Sequence, residues 1–528
     1  MPRSQSPNSY PRSSSDTSWP LLRDSETEGY GSLADESVQS RAENHPKRQI
    51  GVVSAVFIIF NRIIGTGIFA TPSTILGFSG SVGLSLVMWI IGAVIAAAGM
   101  QVYIIWGTAL PQNGGEKNYL EHLFPKPRRL ITSIYAANAV LLAYAAGNCL
   151  VFAEYAVASI SPAAPASTSV FSPVRVVAFL CLTGVLLLHG LHIPSGLRLQ
   201  NLLGFFKIGI LLVVVMAGCF ALGGNLQEGV VRPGNFDSWA KIWEGSRGGR
   251  NVLCACLYNV IWSYIGFSNA NYALAEMRDP ARTLRIAGPL AIVTVTVFYL
   301  FCNIAYFAAA SKEEITGSGR LVAALLFRNV WGPSTERILN IFIAMSALGN
   351  VLSVSFSQGR VNQTLGAEGI LPFSKFWASS WPAKAPLAGL SLHWAVCNLV
   401  IFNMPPGDAY NFVLNLCSYP LSVINTIISF GLLYLSLRRT VTIDKQHHDT
   451  DDHTTKSTIV FKPTPSLILP TLLFGIANVF LFVVPLTKPP PGVEPYEKLP
   501  YWLHGAGGWC IFLVGGVWWL YYYHRRPE

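Results

Sequence analysis

The stretch that decides the fold is Asn61-Arg-Ile-Ile-Gly-Thr-Gly-Ile-Phe-Ala-Thr-Pro72. It lies in an apolar run that begins near Gly51, and its two glycines interrupt a helix that would otherwise be continuous. Within a bilayer, freed backbone amides and carbonyls are tolerated only where they face protein, water or a ligand. The stretch therefore predicts a membrane helix that is broken beside a binding site.

A second interruption lies at Trp262-Ser-Tyr-Ile-Gly-Phe267, followed by the polar Ser268, Asn269 and Asn271. The two interrupted runs are the first and sixth of the chain, which makes them the first members of two five-helix halves. Interruptions at corresponding positions of two halves indicate a transporter site built on inverted repeats. The alternative interpretation, glycines that allow close helix packing, explains one interruption better than two equivalent ones.

The composition supports a membrane protein, since 12% of the 528 residues are charged against about 25% in soluble domains. The charges form islands between apolar runs of roughly 20 residues, the length that crosses a bilayer. We predict an all-α polytopic membrane protein with twelve transmembrane helices, of which helices one and six are broken. The spans are residues 51–76, 82–109, 130–158, 173–190, 199–222, 251–273, 286–310, 335–360, 387–403, 409–436, 467–486 and 502–523.

The positive charges predict the orientation of these spans. With the N-terminus in the cytoplasm, inside segments hold 24 of the 37 Lys and Arg residues and outside loops hold 9, as the positive-inside rule requires. Residues 1–48 are too poor in apolar side chains to fold and are predicted to be a disordered cytoplasmic tail. The membrane domain is predicted at 49–523, with repeats at 49–222 and 251–436, helices eleven and twelve at 467–523, and a short cytoplasmic C-terminus at 524–528.

Several function classes are disfavoured. The net charge of +10 is not arranged as a basic stripe with interleaved aromatics, so no nucleic-acid partner is predicted. The nine cysteines show no zinc-like spacing, so neither a metal nor another cofactor is predicted. A membrane-embedded enzyme would need an intramembrane His, Asp or Glu constellation, and His189 and His192 lie at a helix end without a carboxylate nearby.

The two interruptions also indicate a substrate. The half-helix that follows Gly67 would present free amides and a positive dipole end to an anion. Carbonyls at the sixth-helix break would suit an ammonium group. A carboxylate on one side and an amine on the other describe an amino acid.

The sequence resembles the amino acid–polyamine–organocation superfamily from about residue 50 to 440, and more loosely to 523. Its closest branch there resembles the L-type amino acid transporters, fungal methionine permeases among them. Members share the LeuT-like fold, two inverted five-helix repeats plus two extra helices. The similar motifs are the first-helix stretch above, Gly114-Gly-Glu-Lys-Asn-Tyr119, Glu276-Met-Arg-Asp-Pro-Ala-Arg282, Ser346-Ala-Leu-Gly-Asn-Val351 through Arg360, and Gly369-Ile-Leu-Pro372.

The resemblance implies roles for the residues at the two breaks. Backbone amides of the first break would meet the substrate carboxylate, and carbonyls of both breaks would meet its amine. Trp262 would be the aromatic gate over the substrate, Asn271 would brace the unwound segment or form a helix–helix contact, and residues from Asn415 to Tyr419 would close the side-chain pocket. The substrate-binding residues so implied are Ile63, Ile64, Gly65, Thr66, Gly67, Trp262, Ser263, Ile265, Gly266 and Asn271.

Lys207, in Gly204-Phe-Phe-Lys-Ile-Gly209, lies about nine residues into the fifth span. A charge at that depth is costly and usually functional, although a lysine near a helix end can also snorkel to the interface. The resemblance aligns Lys207 with a lysine whose ammonium replaces the sodium ion of sodium-coupled relatives. It therefore predicts transport without sodium, with proton exchange at Lys207 as a further role.

Two departures complete the prediction. Arg62 precedes the first break, where it either reaches the cytoplasmic side or pairs with an acid such as Glu276. The loop Ser159 to Ser172 lacks the cysteine with which animal L-type transporters bond a glycoprotein partner, so no such partner is predicted.

The function implied is sodium-independent transport of neutral L-amino acids by alternating access, with methionine or other large neutral amino acids favoured. The partners are then an amino-acid substrate, the lipid bilayer and, where transport is coupled, protons. The plasma membrane is the default compartment. The alternative is a transporter-like nutrient sensor with little flux, and the Ser-rich tail suits either function.

Overall fold

The computed structural model describes residues 50–142, 145–160, 172–318, 322–381, 384–403, 408–438, 441–443, 457–459, 461–489, 494–496 and 499–523. The predicted tails at 1–48 and 524–528 lie outside these residues, as do most of the loop between Ser159 and Ser172 and the link at 143–144 in the third span.

The described part is almost entirely helical. The first-half helices are α1 Val52–Ile63, α2 Gly67–Ser79, α3 Val82–Ala109, α4 Glu116–Leu123, α5 Leu130–Leu142, α6 Ala146–Ile160, α7 Pro173–Leu191 and α8 Ile193–Leu222. Then come α9 Trp239–Trp243, α10 Arg250–Tyr264, the 3-10 helix Asn269–Glu276, α11 Pro280–Ala309, α12 Lys312–Gly317, α13 Val322–Trp331, α14 Glu336–Ala367, α15 Ser374–Trp377, α16 Leu387–Asn403, α17 Asp408–Arg438, α18 Pro465–Val483 and α19 Leu503–Tyr523.

Ten helical segments within the described ranges are long and apolar enough to cross a membrane; one of them combines α5 with α6, and another combines α10 with the 3-10 helix. The other two predicted spans correspond to the pair α1 and α2, which are short because the helix is broken, and to α16, which has 17 residues. The second span was predicted with the observed bounds, Val82–Ala109. The fifth and seventh helices begin several residues earlier than predicted, at Ile193 and Pro280. The full twelve-span, LeuT-like arrangement stays a prediction.

Both predicted breaks are present. Helix α1 ends at Ile63 and α2 begins at Gly67. Helix α10 ends at Tyr264, and a 3-10 helix takes over at Asn269. Gly266 between them has φ +123°, and a Cβ there would also overlap Arg62. Only glycine tolerates this combination of backbone angle and close approach.

Helices that the predicted repeats place in equivalent positions pack against each other. Helix α2 contacts α10, α3 contacts α11, α6 contacts α14, and α7 contacts α16. The broken first helix lies inside this framework, with α1 against α11 and α14. The chain before α1 is tied to the segment after the sixth helix, because Ile50 donates to the Glu276 carbonyl (3.0 Å) and accepts from the Arg278 amide (3.2 Å).

One feature departs from an all-α description. Val441–Ile443 and Ser457–Ile459 form a short antiparallel ladder in which Val441 is opposite Ile459. It follows α17 in a connection that the sequence predicts to lie outside the membrane.

Candidate functional site

A cavity opens between the two helix breaks, and we name it the Glu116 cavity after the one acidic residue in its lining. The first break contributes one wall and the sixth break the facing wall. Eight of the ten residues predicted to bind substrate line it: Ile63, Gly65, Thr66, Gly67, Trp262, Ser263, Ile265 and Gly266. The fold therefore brings together two segments that are about 200 residues apart in sequence.

The two breaks touch directly at Gly67. A Cβ at this position would lie 2.8 Å from Ser263 Oγ and 3.2 Å from Ser263 Cα. Ser263 Oγ is also 3.1 Å from the Thr71 hydroxyl. Glycine is required here by the approach of the sixth helix rather than by its own backbone angles.

The carbonyl side of the first break is held by side chains from other helices. Lys207 of α8, 1% exposed, donates from Nζ to the carbonyls of Asn61 (3.1 Å) and Ile64. Asn350 of α14 donates to the Arg62 carbonyl. A buried ammonium thus lies against the first break.

Tyr299 of α11 connects the two breaks. Its hydroxyl lies 3.1 Å from the Ile63 carbonyl and 2.9 Å from the Ser263 carbonyl. The Trp262 carbonyl accepts the Ile265 amide at 3.1 Å. The carbonyls predicted to meet an amine are those of Ile63, Trp262, Ser263 and Ile265. Of these four, only the Ile265 carbonyl accepts no hydrogen bond within the described residues.

Two predicted binding residues do not line the cavity. Ile64 is fully buried and turns its carbonyl to Lys207. Asn271 is also fully buried, and its Nδ2 donates to the Tyr103 carbonyl and the Tyr119 hydroxyl, both at 2.8 Å. This placement favours the helix–helix interpretation of Asn271 over contact with a substrate.

A second cavity shares Trp262 with the Glu116 cavity. We name the second the His504 cavity; it is lined by residues that include Thr71, Thr74, Asn251, Asn259 and His504. Both cavities are lined by Tyr258, Trp262, Leu414 and Ser418. Of the segment predicted to close the side-chain pocket, Cys417 and Ser418 line the Glu116 cavity, and Asn415 and Ser418 line the His504 cavity.

The predicted pairing of Arg62 with Glu276 is wrong. Arg360 of α14 occupies both carboxylate oxygens of Glu276, with Nη2 to Oε2 at 3.0 Å and a second contact from Nε to Oε1. A bidentate arginine leaves the carboxylate little capacity for another cation. Arg62 instead lines the Glu116 cavity behind Gly266.

The sequence analysis missed Glu116 as a cavity residue. Its carboxylate accepts hydrogen bonds from three tyrosines, Tyr103, Tyr135 and Tyr272, which come from three other elements. The available signal was its position directly after Gly114 and Gly115, since a double glycine lets the backbone turn the next side chain inward.

No group of three or more His, Cys, Asp or Glu side chains that could hold a metal ion occurs within the described ranges. The chemistry of the site therefore rests on backbone groups, hydroxyls, amides and two buried charges.

Comparison with known proteins agrees with this geometry. The family described as amino acid permease matches residues 50–512 of the chain, a range that contains both breaks and both cavities.

Individual relatives are transport proteins. The high-affinity methionine permease of Saccharomyces cerevisiae is 41% identical over 484 residues, which cover 91% of this chain and 80% of that protein. The low-affinity methionine permease of the same yeast is 30% identical over 392 residues, 73% of this chain and 70% of that protein. The human b(0,+)-type amino acid transporter 1 is 29% identical over 329 residues, 61% and 63% respectively.

Proposed function

On the premise that the chain belongs to the amino acid permease family and is a multi-pass membrane protein of amino-acid transport, we propose that it transports neutral L-amino acids. The favoured substrates are methionine and other large neutral amino acids. Transport proceeds without sodium and by alternating access. Its relatives are permeases and transporters rather than enzymes. We place it in the plasma membrane with both termini in the cytoplasm, working without a disulfide-linked glycoprotein partner.

The observation that carries the proposal is the meeting of the two breaks in one cavity. The first amides of a helix have no partner within that helix, so the start of α2 at Gly67 offers donors and a positive dipole end to a carboxylate. Ile265 lines the same cavity, and its carbonyl, which accepts no hydrogen bond within the described residues, suits an ammonium group. These two poles match the part that all α-amino acids share.

Lys207 supports independence from sodium. Sodium at such a position would be coordinated by carbonyls of the unwound first helix, and the Lys207 ammonium already contacts two of them, at Asn61 and Ile64. A covalently attached cation neutralises these dipoles in every step of transport, so no sodium ion needs to bind with the substrate.

The lining of the cavity supports a neutral substrate side chain. Helix α17 contributes the apolar or weakly polar Leu414, Cys417, Leu421 and Ile424 beside the uncharged polar Ser418, Ser422 and Asn425. The lining contains two charged residues, Arg62 and Glu116. The carboxyl group of Glu116 contacts tyrosine hydroxyls, so it is not a free charge that faces the substrate. A methionine side chain would fit the apolar α17 wall, whereas a charged one would lose its hydration there.

Alternating access is supported by Trp262, which belongs to the wall that the Glu116 cavity and the His504 cavity share. A substrate that moves from one cavity to the other passes this wall, so we expect Trp262 and its helix to move during transport. The transporter-like sensor is not favoured by a specific observation among the described residues.

The test is uptake of radiolabelled methionine, leucine and arginine into proteoliposomes, with sodium or choline outside. We expect saturable uptake of methionine and leucine in choline, and little uptake of arginine. Folded protein that moves no amino acid would contradict the function, and uptake confined to sodium would contradict the role of Lys207.

A paired variant connects uptake to the site. Gly67→Val places a branched side chain where even a Cβ would lie 2.8 Å from Ser263 Oγ, so we expect uptake to fall to background. Gly184→Val in α7 is the matched control, because nothing lies within 4 Å of a Cβ there. Equal uptake by both variants would remove Gly67 from the proposed site.

A further inference from the structure

Glu116 is a buried carboxylate in contact with the substrate cavity. It is 1% exposed and lies at the start of the short helix α4. Oε1 is 2.8 Å from the hydroxyls of Tyr103 and Tyr272, and Oε2 is 3.2 Å from the hydroxyl of Tyr135. These tyrosines come from α3, the 3-10 helix and α5, so the cluster joins three elements around one carboxyl group.

The cluster contains one more contact between oxygen atoms than it has phenolic hydrogens to donate. Besides Oε1 of Glu116, the Tyr103 hydroxyl also lies 2.8 Å from Oδ1 of Asn425. That makes four contacts between oxygens but only three phenolic hydrogens. A hydroxyl has a single hydrogen to donate, so Tyr103 cannot donate to both of its neighbours.

The orientation of the Asn425 amide does not remove the shortage. Asn425 Nδ2 donates to Oδ1 of Asn478 (3.3 Å), and Asn478 Nδ2 donates to the Phe474 carbonyl (2.8 Å). The carbonyl can only accept, which fixes Asn478 and then Asn425 with its oxygen toward Tyr103. A proton on Glu116 supplies the missing hydrogen: the carboxyl O–H donates to the Tyr103 oxygen, and Tyr103 donates to Asn425.

No cation compensates a charge on Glu116. Within the described residues, no lysine or arginine forms an ion pair with it, and the adjacent Lys117 is directed to Glu121 and Glu368. The charge of Arg62 interacts with Tyr272 rather than with the carboxylate, and Tyr119 is a further titratable group near Glu116. Burial raises the pKa of the Glu116 carboxyl, although the three phenolic hydrogen bonds oppose this by stabilising the charged form.

Lys207 is less suited to exchange a proton. Its ammonium contacts two carbonyls, and Lys207 does not line the Glu116 cavity. Loss of its proton would leave those carbonyls without a charged donor. Glu116, in contrast, lines the cavity and has donor and acceptor partners in both of its protonation states.

We propose that Glu116 binds one proton from water on one side of the membrane and releases it to water on the other side, in step with amino-acid transport. The inference rests on the proposed function, to which it adds a proton as a coupled ion. The proton bonds to Oε1 and leaves from it, so no phenol gains or loses a hydrogen over the cycle.

The experiment compares Glu116→Gln with the unaltered protein in methionine uptake, with and without an inward proton gradient. We expect the gradient to stimulate the unaltered protein several-fold and to have no effect on Glu116→Gln, whose neutral amide keeps a donor at this position. Glu121→Gln is the matched control on the same helix, since Glu121 faces Lys117 and is 39% exposed; it should respond as the unaltered protein does.

Tyr272→Phe tests the inference through the pH dependence of uptake, which would not shift if Tyr272 had only a structural role. It removes one donor to the carboxylate, which raises the pKa of that carboxyl, so the midpoint of the pH dependence of uptake should shift to higher pH. A midpoint that stays in place, or a gradient response retained by Glu116→Gln, would overturn this inference. Absence of all amino-acid uptake by the unaltered protein would instead overturn the proposed function itself.

Discussion

The two helix breaks face each other across one cavity but are held in different ways. Carbonyls of the first break are bound by side chains from α8, α11 and α14: Lys207, Tyr299 and Asn350. The sixth break is shaped by its own backbone, with the Ile265 amide on the Trp262 carbonyl and the Asn269 amide on the Gly266 carbonyl. The first break therefore depends mainly on tertiary contacts, whereas the sixth combines local turns and one glycine with fewer such contacts, that of Tyr299 among them.

This difference predicts where each break is vulnerable. A change far from the first break in sequence should disturb it, because its partners lie on other helices. The sixth break should respond mainly to changes in its own residues.

The largest effect is expected for Lys207→Met, which keeps most of the side-chain volume and removes the ammonium. The carbonyls of Asn61 and Ile64 would lose their charged donor inside the protein, so methionine uptake should fall to background. Phe205→Met on the same helix is the control, since Phe205 is 59% exposed and should tolerate the change. Normal uptake by Lys207→Met would contradict the dependence of the first break on the Lys207 ammonium. Uptake restored by sodium would show that another cation can replace it.

An intermediate effect is expected for Gly266→Ala in the sixth break. The φ of +123° strains any residue with a side chain, at a cost of order 1–3 kcal/mol, and the new methyl group would meet Arg62. Uptake should fall about tenfold or more, with membrane insertion intact. Gly209→Ala is the control, because a Cβ there meets nothing within 4 Å; equal uptake by the two variants would refute the local origin of this break.

The smallest effect is expected for Tyr299→Phe. This variant affects both breaks at once, because Tyr299 contacts both. Loss of its hydroxyl leaves the Ile63 and Ser263 carbonyls with one donor fewer, which costs about 1–3 kcal/mol. Thermal unfolding in detergent should show a lower melting temperature, and uptake should fall only in part. Tyr264→Phe, whose hydroxyl bonds only Thr296 (3.2 Å) among its recorded contacts, should have less effect on uptake.

The membrane spans could be predicted from the sequence because both span length and helix breaks are local properties. The apolar run at 82–109 and the glycines at 65 and 67 carry their information within a few residues. The contact of Lys207 with the first break followed from a motif and a resemblance, and the described geometry agrees with it.

Partners that come from distant elements could not be predicted in the same way. Arg360 is 84 residues from Glu276, and nothing local marks it as a better partner than Arg62. The three tyrosines around Glu116 likewise lie on separate helices. Choosing between such partners requires the packing of the helices, which hydropathy does not encode.

The short backbone bridge at Ile50 has a mechanical consequence. Ile50 is bonded in both directions to the segment after the sixth helix, through the Glu276 carbonyl and the Arg278 amide. The half-helix that leads into the first break and the half-helix that leaves the sixth are thereby fastened at the same end. A displacement of the chain at Ile50 is therefore transmitted to both segments. We expect the two segments to move together about two hinges, at Gly65–Gly67 and at Gly266.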